Sequence, residues 1–296
     1  MFKKNSTKKT KNLAFSMVEL SIVFLVIATL IVGASQGYGL VKSARISNAR
    51  SVTANSPIYS TPGLEAWYET TSKDSFDQSQ IRDSAQITQW KDISSSSILT
   101  GKNILTTTAS DNVTYSQSSI NKLPAVKFSG SGKLSLLAFN KGAYSPATIF
   151  MVVKLNYAPD SSNYKTIFDG YSTSSDFSFS IKSDKAQLNA GVAGATTTFA
   201  NSFLNSGEYA IAIYFNGSNS KVFVNDVGSS LGGATPLNSG INQLIGITLG
   251  TNKSGLLGFT GFISEVAVFN RVVKSSERKE IFNYFSKKYK INITGV

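Results

Sequence analysis

Glu65 and Glu69, four residues apart around Trp67 and Tyr68, are the nearest approach this sequence makes to a catalytic pair. Retaining glycosidases need two carboxylates about 5–5.5 Å apart, and on one strand that means spacing i, i+2 or i, i+4. Glu265 is alone in 262–269, and Asp226 has no acidic partner two or four residues away. Glu65 and Glu69 flank the end of an apolar run, where a solvated face accounts for them. The 296 residues contain no His and no Cys. This removes Ser–His–Asp and Cys–His nucleophile systems, disulfides, and thiolate or His-based zinc sites. The expectation is a protein that is not an enzyme.

Binding chemistry has more material. Asp92, Asp169, Asn225 and Asp226 could offer loop oxygens to calcium, a hard cation that takes several at about 2.3–2.6 Å. The plainer reading of each is a turn residue bonding its own backbone. Tyr115, Tyr144, Tyr157 and Tyr171 fall in loop-like stretches and could stack on a sugar ring, whereas Trp67 and Trp90 have the apolar neighbours of core residues. Arg271, Lys274, Arg278, Lys279, Lys287, Lys288 and Lys290 could face an anion, but Glu277 and Glu280 interleave with them and favour a solvated face over nucleic acid. The net charge of +12 misleads in the same way, because five lysines and no acid stand in residues 1–14.

Those lysines precede an uncharged run from Leu20 to Val41, roughly 33 Å as a helix and so long enough to cross a bilayer. The charge asymmetry places the N-terminus in the cytoplasm and the rest outside. A secretory signal has a shorter apolar core, about 7–15 residues. Glu19 sits at the start of this oily segment, where an unpaired carboxylate at mid-bilayer depth costs about 2.5–3.5 kcal/mol. Residues 42–55 carry Ile46, Ala49 and Val52 at helical spacing and continue the helix, with Ser56-Pro57 as its stop.

Beyond it, short apolar runs alternate with Ser, Thr, Gly and Asn. Tyr209, Ile211, Ile213 and Phe215 share one face, and a five-residue turn at 216–220 leads into a partner strand. Further strands are expected at 64–68, 87–93, 125–128, 133–137, 148–155, 164–170, 177–181, 186–191, 246–250 and 262–269. Together they predict two packed antiparallel sheets. A last helix over 275–290, capped by Ser275 or Ser276, presents Ile281, Phe285 and Tyr289 as a stripe with Phe282 beside it, and docks on the sandwich.

Two segments resemble known families. Lys11-Asn12-Leu13-Ala14 before Phe15-Ser16-Met17-Val18-Glu19-Leu20 is similar to the processing signal of type IV pilins and pseudopilins. The resemblance implies cleavage between Ala14 and Phe15 by a prepilin peptidase, N-methylation of Phe15, and pairing of Glu19 with the free amine of a neighbouring pilin-like subunit. Ala14 stands where the family usually has Gly, and no Pro occurs before Pro57. Gly33 and Gly37 fit a small-residue packing motif. The second resemblance is carried by Gly63-Leu64-Glu65-Ala66-Trp67-Tyr68, Ile87–Asp92, Leu123–Phe128 and Phe259–Arg271. These segments are similar to bacterial concanavalin A-like or laminin G-like domains, jelly-roll sandwiches that include calcium binders and lectins.

The expected organisation is a basic leader (1–14), a transmembrane and assembly helix (15–55), a linker (56–61) and a β-sandwich (62–296) with a short C-terminal helix, mainly β overall. The function implied is a pilin-like, minor subunit displaying a lectin-like domain for adhesion, in the inner membrane before assembly and on a pilus or in the periplasm afterwards. Its partners would be the peptidase, other subunits, membrane lipid and a surface glycan. The alternatives are a type II secretion pseudopilin and an anchored carbohydrate-binding module that never assembles.

Overall fold

The computed structural model describes residues 16–94, 103–156, 165–171, 176–182, 185–191, 196–200, 206–228 and 243–293. The chain divides into two compact units, residues 1–47 and 48–296.

Helix α1 runs from Met17 to Ala54. In the first unit its large apolar side chains, from Met17 through Phe24 and Leu30 to Val41, are exposed. By length and composition it can cross a membrane. A Cβ added at Gly33, Gly37 or Gly39 would meet nothing. The helix starts on a capping box: Ser16 N donates to Glu19 Oε2 (2.8 Å) and Glu19 N to Ser16 Oγ (3.2 Å).

The second unit begins with residues 48–54 of α1 and the one-turn helix α2 (Pro57–Ser60), which Ser56 caps through the Ile58 N–H. Sixteen strands among the described residues then form two antiparallel sheets. In the first, the order is β14 (Val227–Gly228), β13 (Lys221–Val224), β12 (Gly207–Phe215), β7 (Ala147–Leu155), β16 (Thr260–Phe269), β5 (Leu123–Ser129) and β4 (Thr114–Ile120), with β1 (Leu64–Glu69) also on β16. In the second it is β11 (Thr196–Ala200), β10 (Lys185–Gly191), β9 (Asp176–Lys182), β8 (Lys165–Tyr171), β15 (Gly246–Leu249), β6 (Leu134–Leu136), β3 (Leu105–Thr106) and β2 (Gln89–Trp90). The run expected as a strand over 87–93 pairs only at Gln89–Trp90.

Strand alternation sorts the side chains of the first sheet into two cores. Ile149, Met151, Val153, Ile211, Ile213 and Phe215 face the second sheet. Phe150, Val152, Ala210, Ala212 and Tyr214 face the other way, toward the C-terminal helix α3 (Ser275–Tyr289). That helix lays Ile281, Phe282, Phe285 and Tyr289 on this second face, and Ala49 and Ile58 join the same cluster. Its N-cap is Lys274 rather than either serine, because Glu277 Oε2 accepts the Lys274 N–H (2.7 Å) while Arg271 Nη2 holds Glu277 Oε1 (2.8 Å).

Candidate functional site

A bulge in β16 positions a buried charged cluster in the second unit. Ile263 and Val266 both pack between the sheets, so the chain gains one residue between them and the register to β7 shifts. Plain alternation from Ile263 would aim Glu265 into the inter-sheet core; the bulge turns it toward α3. Glu265 stands opposite Glu69 in the β1–β16 pairing, and Lys288 on α3 meets both. Its Nζ donates to Glu69 Oε1 (2.6 Å) and Glu265 Oε2 (2.9 Å), with the side chains of all three residues at 0% exposure.

Hydrogen bonds fill the remaining positions. Glu265 Oε1 accepts from Trp67 Nε1 (2.7 Å) and Oε2 from Tyr289 OH (2.7 Å), while Tyr284 OH lies 2.9 and 3.1 Å from the two oxygens. Glu69 accepts the backbone N–H groups of Thr71 and Ser72. Lys288 Nζ reaches Tyr284 OH at 3.0 Å as its third acceptor. Burial pushes the Glu265 carboxyl up against the opposing pull of Lys288, and burial pushes the Tyr284 and Tyr289 hydroxyls well above their usual range. Every carboxylate oxygen is occupied and the group is closed to solvent, so its chemistry is that of a clamp joining β1, β16 and α3. Sequence spacing along one strand could not find this pair, because it forms across two strands 196 positions apart.

Tyr284 leads from the clamp to the surface. With Ser51, Val52, Asn55, Ser56, Pro57, Ser60, Glu280, Asn283 and Lys287 it lines an open groove of about 560 Å³, within the usual size range for small-ligand sites. Thr53 Oγ1 lies 3.4 Å from the Tyr284 hydroxyl, and Tyr59 packs edge-on against Trp67 at 4.5 Å.

The residues singled out by sequence fall in several places. Ala14, Phe15 and Tyr157 lie outside the described residues. Glu19 is in the first turn of α1, bonded to Ser16. Asp92 is buried, accepts the N–H groups of Trp67 and Ser94, and is raised by that burial. Asp169 is buried on β8 and accepts Lys253 N (2.7 Å). Asn225 and Asp226 form the two-residue turn between β13 and β14, both with positive φ. Asn225 Oδ1 accepts Ala210 N and Asp226 Oδ1 pairs with Arg278 Nε (2.7 Å). Of these four only the adjacent pair is brought together, and no group of three or more acidic side chains placed to hold a metal occurs among the described residues.

Tyr115 is on β4, not in a loop, and is 6% exposed inside the inter-sheet core. Tyr144 packs partly against that core, its hydroxyl raised by burial beside Glu65. Tyr171 ends β8, paired with Gly246. Trp67 and Trp90 are fully buried. Glu65 and Glu69 are buried, against the solvated face expected of them. Lys288 and Arg278 leave the expected basic face for buried partners, and Arg278 also lies 3.9 Å above the Phe223 ring.

The fold and this geometry define an antiparallel two-sheet sandwich braced by a C-terminal helix. No protein-family model matches the chain, and no curated protein does. Solved structures are similar in fold. Trypanosoma rangeli sialidase in complex with sialic acid superposes with a TM-score of 0.51 at 15% identity, over 77% of this chain and 33% of the sialidase. The binding domain of botulinum neurotoxin DC in complex with SialylT gives 0.53 at 14% identity, over 75% of this chain and 51% of that one. The botulinum neurotoxin serotype D binding domain gives 0.51 at 12% identity, over 77% and 52%. The chain thus spans a third to about half of these proteins, and the likeness is one of fold.

Proposed function

We propose that this chain is a type IV pilin-like, minor subunit that is anchored and assembled through α1 and displays its sandwich as a glycan-binding adhesin, without enzymatic activity. The observation that carries the assembly reading is the exposed apolar surface of α1 with a carboxylate in its first turn. Such a surface needs lipid or sister helices, and a carboxylate within it is tolerable when a cation shares its low-dielectric site. Cleavage before Phe15 would supply that cation as a new amine, on the cytoplasmic side of a bacterial inner membrane. The proposed division is therefore a leader (1–14), an assembly helix (15–55), a linker (56–61) and a displayed sandwich (62–296).

The glycan reading rests on the groove beside α3. Asn55, Asn283 and Ser60 offer amide and hydroxyl groups to sugar hydroxyls, Lys287 a cation to an acidic sugar, and Tyr284 a ring edge. The two similar proteins solved with sialic acid and SialylT make acidic glycans the first to try. The purified chain on a glycan array, with and without calcium, should retain sialylated glycans, and Asn283→Ala should abolish the signal. A flat array in both conditions reduces the sandwich to a spacer.

The capping box at Ser16 favours a second reading, an anchored module that never assembles, because it gives Glu19 a purely local duty. Glu19→Gln separates the two. Glutamine preserves the box but removes the charge, so incorporation into filaments should fall at least tenfold. Unchanged incorporation would leave Glu19 as a cap.

A further inference from the structure

The connection between β15 and β16 carries two adjacent leucines with exposed side chains. Leu256 is 64% exposed and Leu257 43%. Single exposed leucines are ordinary. A consecutive pair at the tip of a braced loop, with one of them in a left-handed backbone conformation (Leu257, φ 57°), is not.

The loop is held firmly. Asn252 Oδ1 accepts Leu256 N (2.7 Å), Asn252 N donates to Leu256 O (3.0 Å), and Gly255 N to Asn252 O (2.9 Å). Asp169 Oδ2 takes the Lys253 N–H, and Thr166 N donates to Leu257 O (2.7 Å). Gly258 returns so close to Gly130 that a Cβ there would lie 1.7 Å from the Gly130 carbonyl. This approach brings the neighbouring segment alongside, and a Cβ on Gly255 would be 3.7 Å from Lys133 Nζ. Lys165 precedes the Thr166 that binds the loop, and Lys253 belongs to the loop itself. Asp111 is the acid near Lys133, its carboxyl held low by Thr108 and Thr107 against the effect of burial.

We propose that residues 251–258 form a membrane-contact loop, which inserts Leu256 and Leu257 into a lipid surface with anionic headgroups while Lys133, Lys165 and Lys253 stay at the phosphate level. Leucines supply the apolar depth and lysines the charge complementarity, the combination by which peripheral segments grip anionic bilayers. Long lysine stems suit it, since they extend along an apolar surface and keep the ammonium wet. This inference is independent of both the pilin and the glycan readings.

The absence of cysteine allows one label. Ser254→Cys in the full chain, carrying an environment-sensitive fluorophore and with α1 held in a phosphatidylcholine nanodisc, is mixed with separate phosphatidylglycerol vesicles. The emission should rise and shift to the blue, weaken as salt is raised, and drop at least tenfold in response when Leu256→Ser and Leu257→Ser are added. The melting curve of that variant should match the parent, because both side chains are exposed. An unchanged emission, an equal response to phosphatidylcholine vesicles, or a response that follows protein concentration without vesicles would each overturn the proposal, the last in favour of self-association.

Discussion

Lys288 places one ammonium between two carboxylates with no solvent to screen them. Removing it strands Glu69 and Glu265 in the interior, and breaking a buried pair in this way costs about 3–5 kcal/mol. Lys288→Met should therefore lower the unfolding free energy of the second unit by that amount in denaturant titration, whereas a loss under 1 kcal/mol would mean the cluster is hydrated. Glu265 also predicts a pH effect. Burial raises it above the ordinary glutamate value of 4.5, so folding takes up a proton there. Its contribution is fully present below the ordinary value and is lost as pH rises through the raised one. Glu65 and Asp92 are raised by burial in the same direction, and Asp111 and Glu277 are lowered, so only a difference measurement isolates Glu265. Thermal melts should show wild-type stability relative to Glu265→Gln falling as pH rises from the ordinary value of 4.5 through the raised one; a rise would contradict the assignment. None of this could be read from spacing. Lys288 sits among seven basic residues near the chain end, and only the docking of α3 separates it from the others.

Strands with clean apolar alternation were legible. Tyr209, Ile211, Ile213 and Phe215 take one face of β12 as their order predicts, and the 216–220 connection to β13 has the expected length. The C-terminal stripe of α3 likewise lands on the sheet. Four of the described strands escaped: β3 and β14 are two residues long, while β4, TYSQSSI, and β11, TTTFA, give no periodic signal and are held by neighbours rather than by apolar pattern. The β16 bulge escaped for a related reason, since an inserted residue reverses the phase that alternation relies on. Backbone proximity adds a prediction at this scale. Gly246 on β15 lies so close to β6 that a Cβ would stand 2.1 Å from the Leu136 carbonyl. Gly246→Ala must push the two strands apart and should cost about 1–3 kcal/mol, read as a lower melting temperature; an unchanged value would show that β6 yields freely.

At the scale of the molecule, the sequence displayed an apolar helix and a sandwich, and both are present. What the chain does with the helix was less legible, because the proposed assembly would depend on other copies and on a processing step at residues 14 and 15. Glu19 illustrates the limit. One carboxylate caps its own helix and would serve equally as the partner of a neighbour's amine, and the two duties would differ only in what happens upstream of Ser16. The proposed glycan site is similar: the fold admits many ligands, and the groove that could hold one draws residues from 51–60 and 280–287, segments with no shared motif. The most direct measurement is therefore chemical. Mass spectrometry of the protein recovered from its native envelope should find a chain that begins with N-methylated Phe15 and lacks the lysine-rich first fourteen residues. An intact Met1, or a cut beyond the apolar segment, would contradict the filament-subunit account.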